Sequence, residues 1–260
     1  MLHLIAAATR PLRYRWDALT FRSRSIESMS KLKGSCRGRP LLVVGNGPSL
    51  NRTPLDAFAA VSSIGMNKID LLFERTTWRP DLIVCVNNLV VKQHARQFAS
   101  SEIPVFLSWK ARHFMPYALR KKVEFFLSLD SDEFSMDITR GVGWGSTVTY
   151  TALQFAYFME ADPILIVGVD HSFKADGPAH DIARRAGPDV NHFDPNYFKA
   201  GTYWGLPDLD GSEKAYAAAR RAIEGVGRRV FDATIDGKLT VFPKISIEQA
   251  IAIANGPGKA

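Results

Sequence analysis

The fold is decided by the stretch LLVVGNGPSL, residues 41–50. Its first four residues are apolar and two of them are β-branched, which predicts a buried strand of the parallel type. Gly45 and Gly47 then let the backbone turn sharply and let a ligand approach its amides. Pro48 suits the first turn of a helix, and Ser49 is a good helix cap. A strand that runs into such a turn is typical of an anion site built from backbone N–H groups.

This turn matches neither of the two common phosphate-binding motifs. A Walker loop would continue with Gly-Lys-Ser or Gly-Lys-Thr, and the dinucleotide fingerprint would add a third glycine. A tight strand-to-helix turn without any ligand is therefore an alternative. The rest of the chain has to decide between the two interpretations.

Apolar runs bounded by turn residues recur along the chain. They predict strands at 61–66, 82–86, 103–108, 164–170 and 228–231, and helices at 115–126, 150–159 and 212–225. The predicted class is α/β, with a mostly parallel sheet and helices on both of its faces. We expect one domain over residues 40–254, preceded by an arm over residues 1–39.

Polar side chains follow several of the predicted strands. Asn67 and Asn87 end two of them, and Asp170 ends the strand-like run ILIVGVD. In open α/β sheets ligands bind beyond the carboxyl ends of the strands, where the strand order reverses. Asparagine both donates and accepts hydrogen bonds, which suits a nucleobase or ribose edge. It is also a common turn residue, so the alternative for each asparagine alone is a turn.

A second glycine- and hydroxyl-rich turn precedes the predicted helix at 150–159. Gly145, Ser146 and Thr147 stand at its start, where free N–H groups favour a phosphate or carboxylate. The alternative is a purely structural helix cap. We expect this turn and the one at residues 45–47 to surround a single pocket.

Periodicity is lost between residues 171 and 212, where three of the six histidines lie: His171, His180 and His192. A long segment without regular structure is uncommon in a compact domain, which predicts an active-site lid. The histidines lack zinc-site spacing, so acid–base chemistry is their expected role.

The net positive charge of the chain is carried by the first forty residues, and the rest of the chain is neutral by formal count. Among those forty, nine Lys or Arg residues face two acidic ones, a balance of +7 that equals the net charge of the whole chain. Aromatic and aliphatic side chains are interleaved with them, as in a helix lying on an anionic membrane. The alternative is a helix packed on its own domain or on a second subunit. No recognition motif accompanies the charge, so nucleic acid is not an expected partner.

The expected location is the cytoplasm, peripherally at the inner face of the plasma membrane. No window is long and apolar enough to span a bilayer or to form a signal-peptide core. The two cysteines, Cys36 and Cys85, lie in unrelated contexts and predict neither a disulfide framework nor a metal site.

Several motifs stand in the order typical of one family: GNGPSL at 45–50, GSTVT at 145–149, GVD at 168–170, NHFDPNYF at 191–198, DAT at 232–234 and LTVFP at 239–243. Together they resemble the 6-hydroxymethylpterin pyrophosphokinase-like family, a domain of unknown function. That family is similar to the bacterial lipooligosaccharide sialyltransferases and the flagellin glycosyltransferases. The resemblance covers about residues 40 to 250 and implies a Rossmann-like core.

The resemblance also implies a nucleotide site, which holds a CMP-linked sugar without a metal in the sialyltransferases. The positions that match its nucleotide-binding residues are Gly45, Asn46, Gly47, Ser49, Asn67, Asn87, Gly145, Ser146 and Thr147. His192 matches the base and stands near Asp194, which would orient its ring; His171 and Asp170 are further catalytic candidates.

Three functions follow from this resemblance. The first is a glycosyltransferase of cell-surface polysaccharide that uses a nucleotide-activated, CMP-type sugar and a glycan or lipid-linked acceptor, with no cofactor. The second is a pterin pyrophosphokinase that uses ATP and magnesium, with the metal near Asp130, Asp132 or Asp170. The third is a non-catalytic nucleotide-binding protein. An oligomer is compatible with all three.

Overall fold

The computed structural model describes residues 18–174 and 177–256. Its centre is a seven-stranded sheet in the order β5-β4-β3-β2-β1-β6-β9, in which all paired strands are parallel. The strands are β1 Leu41–Val44, β2 Ser62–Met66, β3 Leu82–Cys85, β4 Val105–Ser108, β5 Glu124–Phe126, β6 Ile164–Val167 and β9 Val230–Asp232. A separate antiparallel hairpin joins β7 Ile182–Arg184 to β8 Tyr203–Gly205.

Helices cover both faces of the sheet, as the sequence predicted. They are α1 Ser23–Ser30, α2 Asn88–Ser100, α3 Val148–Phe158, α4 Leu209–Glu224 and α5 Ile247–Asn255, with short 3-10 turns between them. Successive strand residues point to opposite faces. Leu42 and Val44 of β1 therefore join one apolar cluster, whereas Leu41 and Val43 join the other. The α/β, Rossmann-like prediction is confirmed.

The order of the strands reverses at β1. The chain passes from β1 to β2 on one side and later places β6 on the other side of β1. Such a reversal leaves a crevice beyond the carboxyl ends of the two central strands. The residues that follow β1 and β6 therefore lie side by side at the bottom of that crevice.

The described part of the N-terminal arm packs on the domain. Phe21 is buried in the core, and the Ser25 hydroxyl accepts the Phe125 N–H of edge strand β5 over 2.9 Å. Helix α1 thus protects a sheet edge whose N–H groups would otherwise be free. Of the two alternatives for the arm, packing on its own domain holds for residues 18–39. Residues 1–17 lie outside the described residues, so membrane binding there stays a prediction.

Two sequence-based expectations about local structure are wrong. The helix expected at 115–126 is a 3-10 turn, Tyr117–Lys122, followed by strand β5. A strand forms because Phe125 and Phe126 pack on opposite faces of the sheet. The lid expected at 171–212 contains the β7–β8 hairpin and ends where α4 begins, at Leu209. None of the helices in the described ranges has both the length and the apolar character needed to cross a bilayer.

Candidate functional site

A cleft of about 590 Å³ opens beyond the carboxyl ends of β1, β2, β3 and β6. The loops after these strands form its floor, and the start of α3 together with the lid forms its walls. Gly45, Asn46, Gly47 and Ser146 all line it, which confirms that the two glycine-rich turns meet around one cavity. That this cavity binds phosphate stays a prediction.

The amides of the two glycines in the turn after β1 are bound within the protein and do not face the cleft. The Gly45 N–H donates to Val167 O and the Gly47 N–H to Gly168 O, both over 2.8 Å. A Cβ on Gly47 would lie 1.8 Å from an Asp170 carboxylate oxygen. Glycines are needed here because the turn after β1 packs tightly against the residues that follow β6. The expectation that the amides of Gly45 and Gly47 bind a ligand is wrong, because both are already bonded within the protein.

Asp170 and Ser49 bind each other directly. Asp170 Oδ1 accepts the Ser49 N–H over 3.0 Å, and Oδ2 accepts the Ser49 hydroxyl over 2.7 Å. Burial raises the pKa of Asp170, although the Ser49 hydrogen bonds act in the opposite direction. Ser49 therefore does not cap the following turn as expected, and the Asp170 carboxylate closes the glycine turn.

Three asparagine side chains in the cleft have a buried oxygen without a partner. They are Asn46, Asn67 and Asn88, whose Oδ1 atoms accept no hydrogen bond from any described residue. An unpaired buried acceptor is costly, so such a group calls for a donor from a ligand or water. Asn87 differs, because its Oδ1 accepts the N–H groups of Leu89 and Val90 in the first turn of α2 and caps that helix.

The sequence analysis did not predict Asn88, because the family resemblance indicated its neighbour Asn87 instead. The signal was present in the sequence as a doubled asparagine after β3. One residue of such a pair has to cap the following helix, and the other is then free to face the cleft.

The start of α3 supplies free N–H groups. The backbone N–H groups of Ser146, Thr147 and Val148 donate to no acceptor among the described residues. Thr147 caps the helix through Thr149, and the Gly145 N–H is bound by Asp132 over 3.0 Å. Helix α3 thus directs the positive end of its dipole into the cleft, which favours an anion there.

His192 forms a dyad with a carboxylate. Its Nδ1 lies 2.8 Å from Asp189 Oδ2, and its ring stacks on Tyr197 at 4.0 Å between centroids. Nδ1–H donates to the carboxylate, which leaves Nε2 as an acceptor in the cleft that His192 lines. Asp194, the carboxylate expected to orient the ring, instead lies 3.7 Å from Arg75 and accepts the Asn196 N–H.

Asp189 is held by several donors. Its side chain has no exposed surface, and it accepts from Arg185 over 2.9 Å and from the N–H groups of Asn191 and Phe198. Burial alone would raise the pKa of Asp189. The hydrogen bond and charge of His192, the Asn191 N–H and the charge of Arg185 outweigh burial and bring this pKa below its usual value. Asp189 therefore stays ionised beside His192. No local sequence pattern marks this pairing.

The other two lid histidines are paired elsewhere at the cleft. His171 Nε2 lies 2.9 Å from Glu213, and His180 Nε2 lies 3.1 Å from Asp208. The same Asp208 oxygen accepts the Ser146 hydroxyl over 2.9 Å. In both histidines the paired nitrogen is Nε2, whereas His192 uses Nδ1.

Backbone strain is concentrated around the cleft. Four non-glycine residues that line it have a positive φ: Asn67 at 51°, Ser146 at 58°, His171 at 53° and His180 at 68°. Such conformations persist only where the surrounding structure imposes them, and they cluster at functional sites.

The cleft lacks strong positive charge and a metal-binding set. Among its described lining residues there is no Lys or Arg. Nowhere in 18–174 and 177–256 do three His, Cys, Asp or Glu side chains meet as a metal site would require. Asp130 is paired with Lys110, Asp132 with the Gly145 N–H, and Asp170 with Ser49. Each carboxylate proposed for magnesium is thus already bound within the protein, and a magnesium requirement stays a prediction.

A parallel sheet whose strand order reverses at β1, with a cleft at the reversal, defines a Rossmann-like α/β protein. The sequence model of the 6-hydroxymethylpterin diphosphokinase MptE-like family matches residues 20–176, and the chain belongs to this family. The family predicted from the motifs is confirmed. The match ends before the segment that carries Asp189 and His192.

Solved structures similar to this chain include the two that follow, whereas the comparison with curated proteins found no match. The MAf glycosyltransferase from Magnetospirillum magneticum AMB-1 matches at 18% identity and a TM-score of 0.50, over 94% of this chain and 42% of that one. The sialyltransferase CstII from Campylobacter jejuni, in complex with the substrate analogue cytidine-5'-monophosphate, matches at 11% identity and a TM-score of 0.46, over 81% and 86%. The first likeness shows a shared fold with a protein of which this chain spans less than half.

Proposed function

We propose that this chain is a glycosyltransferase that moves a sugar from a nucleotide-activated donor of the CMP type to a hydroxyl group. The observation that carries the proposal is the Asp189–His192 dyad at a cleft lined by three unpaired asparagine oxygens. A base held by a carboxylate is the usual arrangement for removing a proton from a hydroxyl group.

The charge of the cleft favours a donor with a single phosphate. A diphosphate or triphosphate is normally neutralised by Lys, Arg or a metal, and the described cleft residues offer none of these. A single phosphate carries less negative charge to neutralise, and the free N–H groups at the start of α3 can bind it.

The asparagines favour a base that donates hydrogen bonds. The Oδ1 atoms of Asn46, Asn67 and Asn88 need N–H or O–H donors. Cytosine offers its exocyclic amine, and ribose and the transferred sugar offer hydroxyls. Cytosine offers two N–H groups on this amine whereas uracil offers the single N–H at N3, and this difference is the basis for preferring a cytidine donor to a uridine donor.

In the proposed reaction His192 Nε2 takes the proton of the acceptor hydroxyl, and the oxygen attacks the anomeric carbon of the donor sugar. The bond between that carbon and the phosphate oxygen breaks, and CMP leaves with the electron pair. Asp189 stabilises the imidazolium that forms, and the α3 start holds the leaving phosphate.

A pterin pyrophosphokinase is the alternative that the family description favours. It would need magnesium and ATP, and the three carboxylates proposed for the metal would first have to leave their partners within the protein. A non-catalytic nucleotide-binding protein would show binding without turnover.

Thermal-shift measurements with CMP, UDP, GDP and ATP, each with and without magnesium, test the proposal. We expect CMP to raise the melting temperature without magnesium, and a CMP-sugar to be hydrolysed or transferred. A response to ATP only with magnesium would favour the pyrophosphokinase. Binding of CMP without turnover of any CMP-sugar would favour the non-catalytic protein.

We further propose that the enzyme works at the inner face of the plasma membrane in cell-surface glycoconjugate synthesis. The basis is the basic charge of residues 1–40. Removal of residues 1–17, which hold three of the nine Lys and Arg residues, should weaken salt-sensitive binding to phosphatidylserine vesicles, and unchanged binding would contradict the proposal.

A further inference from the structure

A second cavity of about 350 Å³ adjoins the cleft. Asn88 and Trp144 line both cavities, so the two lie side by side. We call the second one the side cavity; its other walls are Ser108, Lys110, Leu129, Asp130, Ser131 and Asp132. Apart from Asn88, these residues have no role in the mechanism described above.

We propose that the side cavity binds a neutral sugar ring of the acceptor. This inference rests on the proposed function, because it gives the acceptor of that reaction a place and a chemical class. Three features of the side cavity carry it: an exposed indole, a row of short polar groups, and the absence of net positive charge.

Trp144 provides a flat apolar surface at the mouth of the side cavity. In the sequence Trp144 stands between Gly143 and Gly145. It is 40% exposed, and its backbone N–H donates to Ser131 O over 3.0 Å. Exposed indoles of this kind are found where a ligand covers an apolar face and leaves polar edges to other contacts. The C–H face of a sugar ring has this character, because its hydroxyls point outward at the rim.

The polar walls match those hydroxyls. Ser131 and Asp132 are exposed to the cavity, and Asn88 Oδ1 is buried without a partner. Carboxylate and amide oxygens accept from O–H groups, and the Lys110 ammonium donates to them. A ring with several hydroxyls can satisfy these groups at once, whereas a single serine or threonine hydroxyl of a peptide cannot.

The charge of the side cavity disfavours an anionic acceptor. Lys110 is paired with Asp130, so Asp132 leaves the cavity with one formal negative charge in excess. A phosphate or carboxylate placed there would meet that charge at short range. Because Asn88 belongs to both cavities, a ring in the side cavity presents its hydroxyls toward the donor in the cleft.

Two substitutions test the side cavity by direct binding. Lactose, cellobiose and di-N-acetylchitobiose are titrated into the full chain, with and without CMP, and followed by saturation-transfer NMR. We expect at least one of them to bind in the millimolar range. Trp144→Ala and Ser131→Val should weaken it at least tenfold, and Ser131→Val should leave CMP affinity unchanged.

Met136→Ala is the matched control, because Met136 lies in the same loop, is 62% exposed and lines neither cavity. The inference is overturned if none of the three sugars binds, if the two variants bind them as the wild type does, or if a serine-containing peptide displaces them. The CMP measurements decide separately on the proposed function, because the sugar titrations are also made without nucleotide.

Discussion

His192 Nδ1 lies 2.8 Å from Asp189 Oδ2, and this carboxylate is fully enclosed by protein. The two residues are neighbours on one loop, yet the carboxylate closer in sequence, Asp194, is turned toward Arg75. We expect Asp189→Asn to lower kcat by about tenfold to a hundredfold, because an amide cannot stabilise the imidazolium as a carboxylate does. Steady-state kinetics with a CMP-sugar measure this.

Comparing kcat with the affinity for CMP shows whether Asp189 positions His192 or only supports the fold. Asp189→Asn should change kcat while the affinity for CMP stays within about threefold. Asp194→Asn is the control and should leave both unchanged. Equal losses in the two variants would contradict the assignment of Asp189.

Replacement of the base itself should have a larger effect. We expect His192→Ala to reduce turnover by about a hundredfold or more, since general-base catalysis contributes about 10²–10⁴-fold. Nucleotide affinity should change only a few-fold, because a base acts in the transition state. His171→Ala should cost much less. A large loss in His171→Ala with none in His192→Ala would transfer the role to His171.

Asp170 should make stability depend on pH. Burial raises its pKa, so the folded state holds the proton to a higher pH than the unfolded state does. Its contribution to stability is therefore greatest at low pH and declines as pH rises through the folded pKa. In urea unfolding from about pH 4 upward, Asp170→Asn should remove this decline. Ser49→Ala, which leaves the carboxylate without its hydroxyl donor, should cost about 1–3 kcal/mol at neutral pH. An unchanged pH slope in Asp170→Asn would contradict this account.

Lys68 should produce the opposite slope in the alkaline range. Its ammonium donates to Tyr197 O over 2.8 Å and to Gln93 over 3.0 Å, and burial lowers its pKa from 10.5 to about 8. Between these values the unfolded state binds more protons, so stability rises with pH. In Lys68→Met the rise should disappear. Lys92→Met, at an exposed position of α2, should keep it.

Phe21 tests whether the described part of the N-terminal segment belongs to the fold. Its ring is 3% exposed, packs edge-on against Phe125, and lies two residues from Leu19, which is 72% exposed. Phe21→Ala should lower the free energy of unfolding by about 3–5 kcal/mol. Leu19→Ala should change it by less than about 0.5 kcal/mol. Equal, small effects in chemical denaturation would mean that the segment is dispensable.

The amino-acid sequence by itself determined the architecture, the family and the location of the cleft. Buried parallel strands appear as continuous apolar runs such as 41–44 and 164–167, because both of their faces are covered. The glycine-rich turns at 45–47 and 145–147 marked the cleft, because such turns occur where strands and helices end at a site. These signals are local, so they can be identified in the sequence without knowledge of the fold.

Only the tertiary structure decided which groups are free to act. The amides of Gly45 and Gly47 are bound to the last residue of β6 and to the residue after it, and Asn87 caps α2 while Asn88 faces the cleft. Asp189, with no motif to mark it, became the partner of His192 because buried donors hold it there. The physical reason is that a polar group's availability depends on every partner within hydrogen-bond distance, and those partners come from distant parts of the chain.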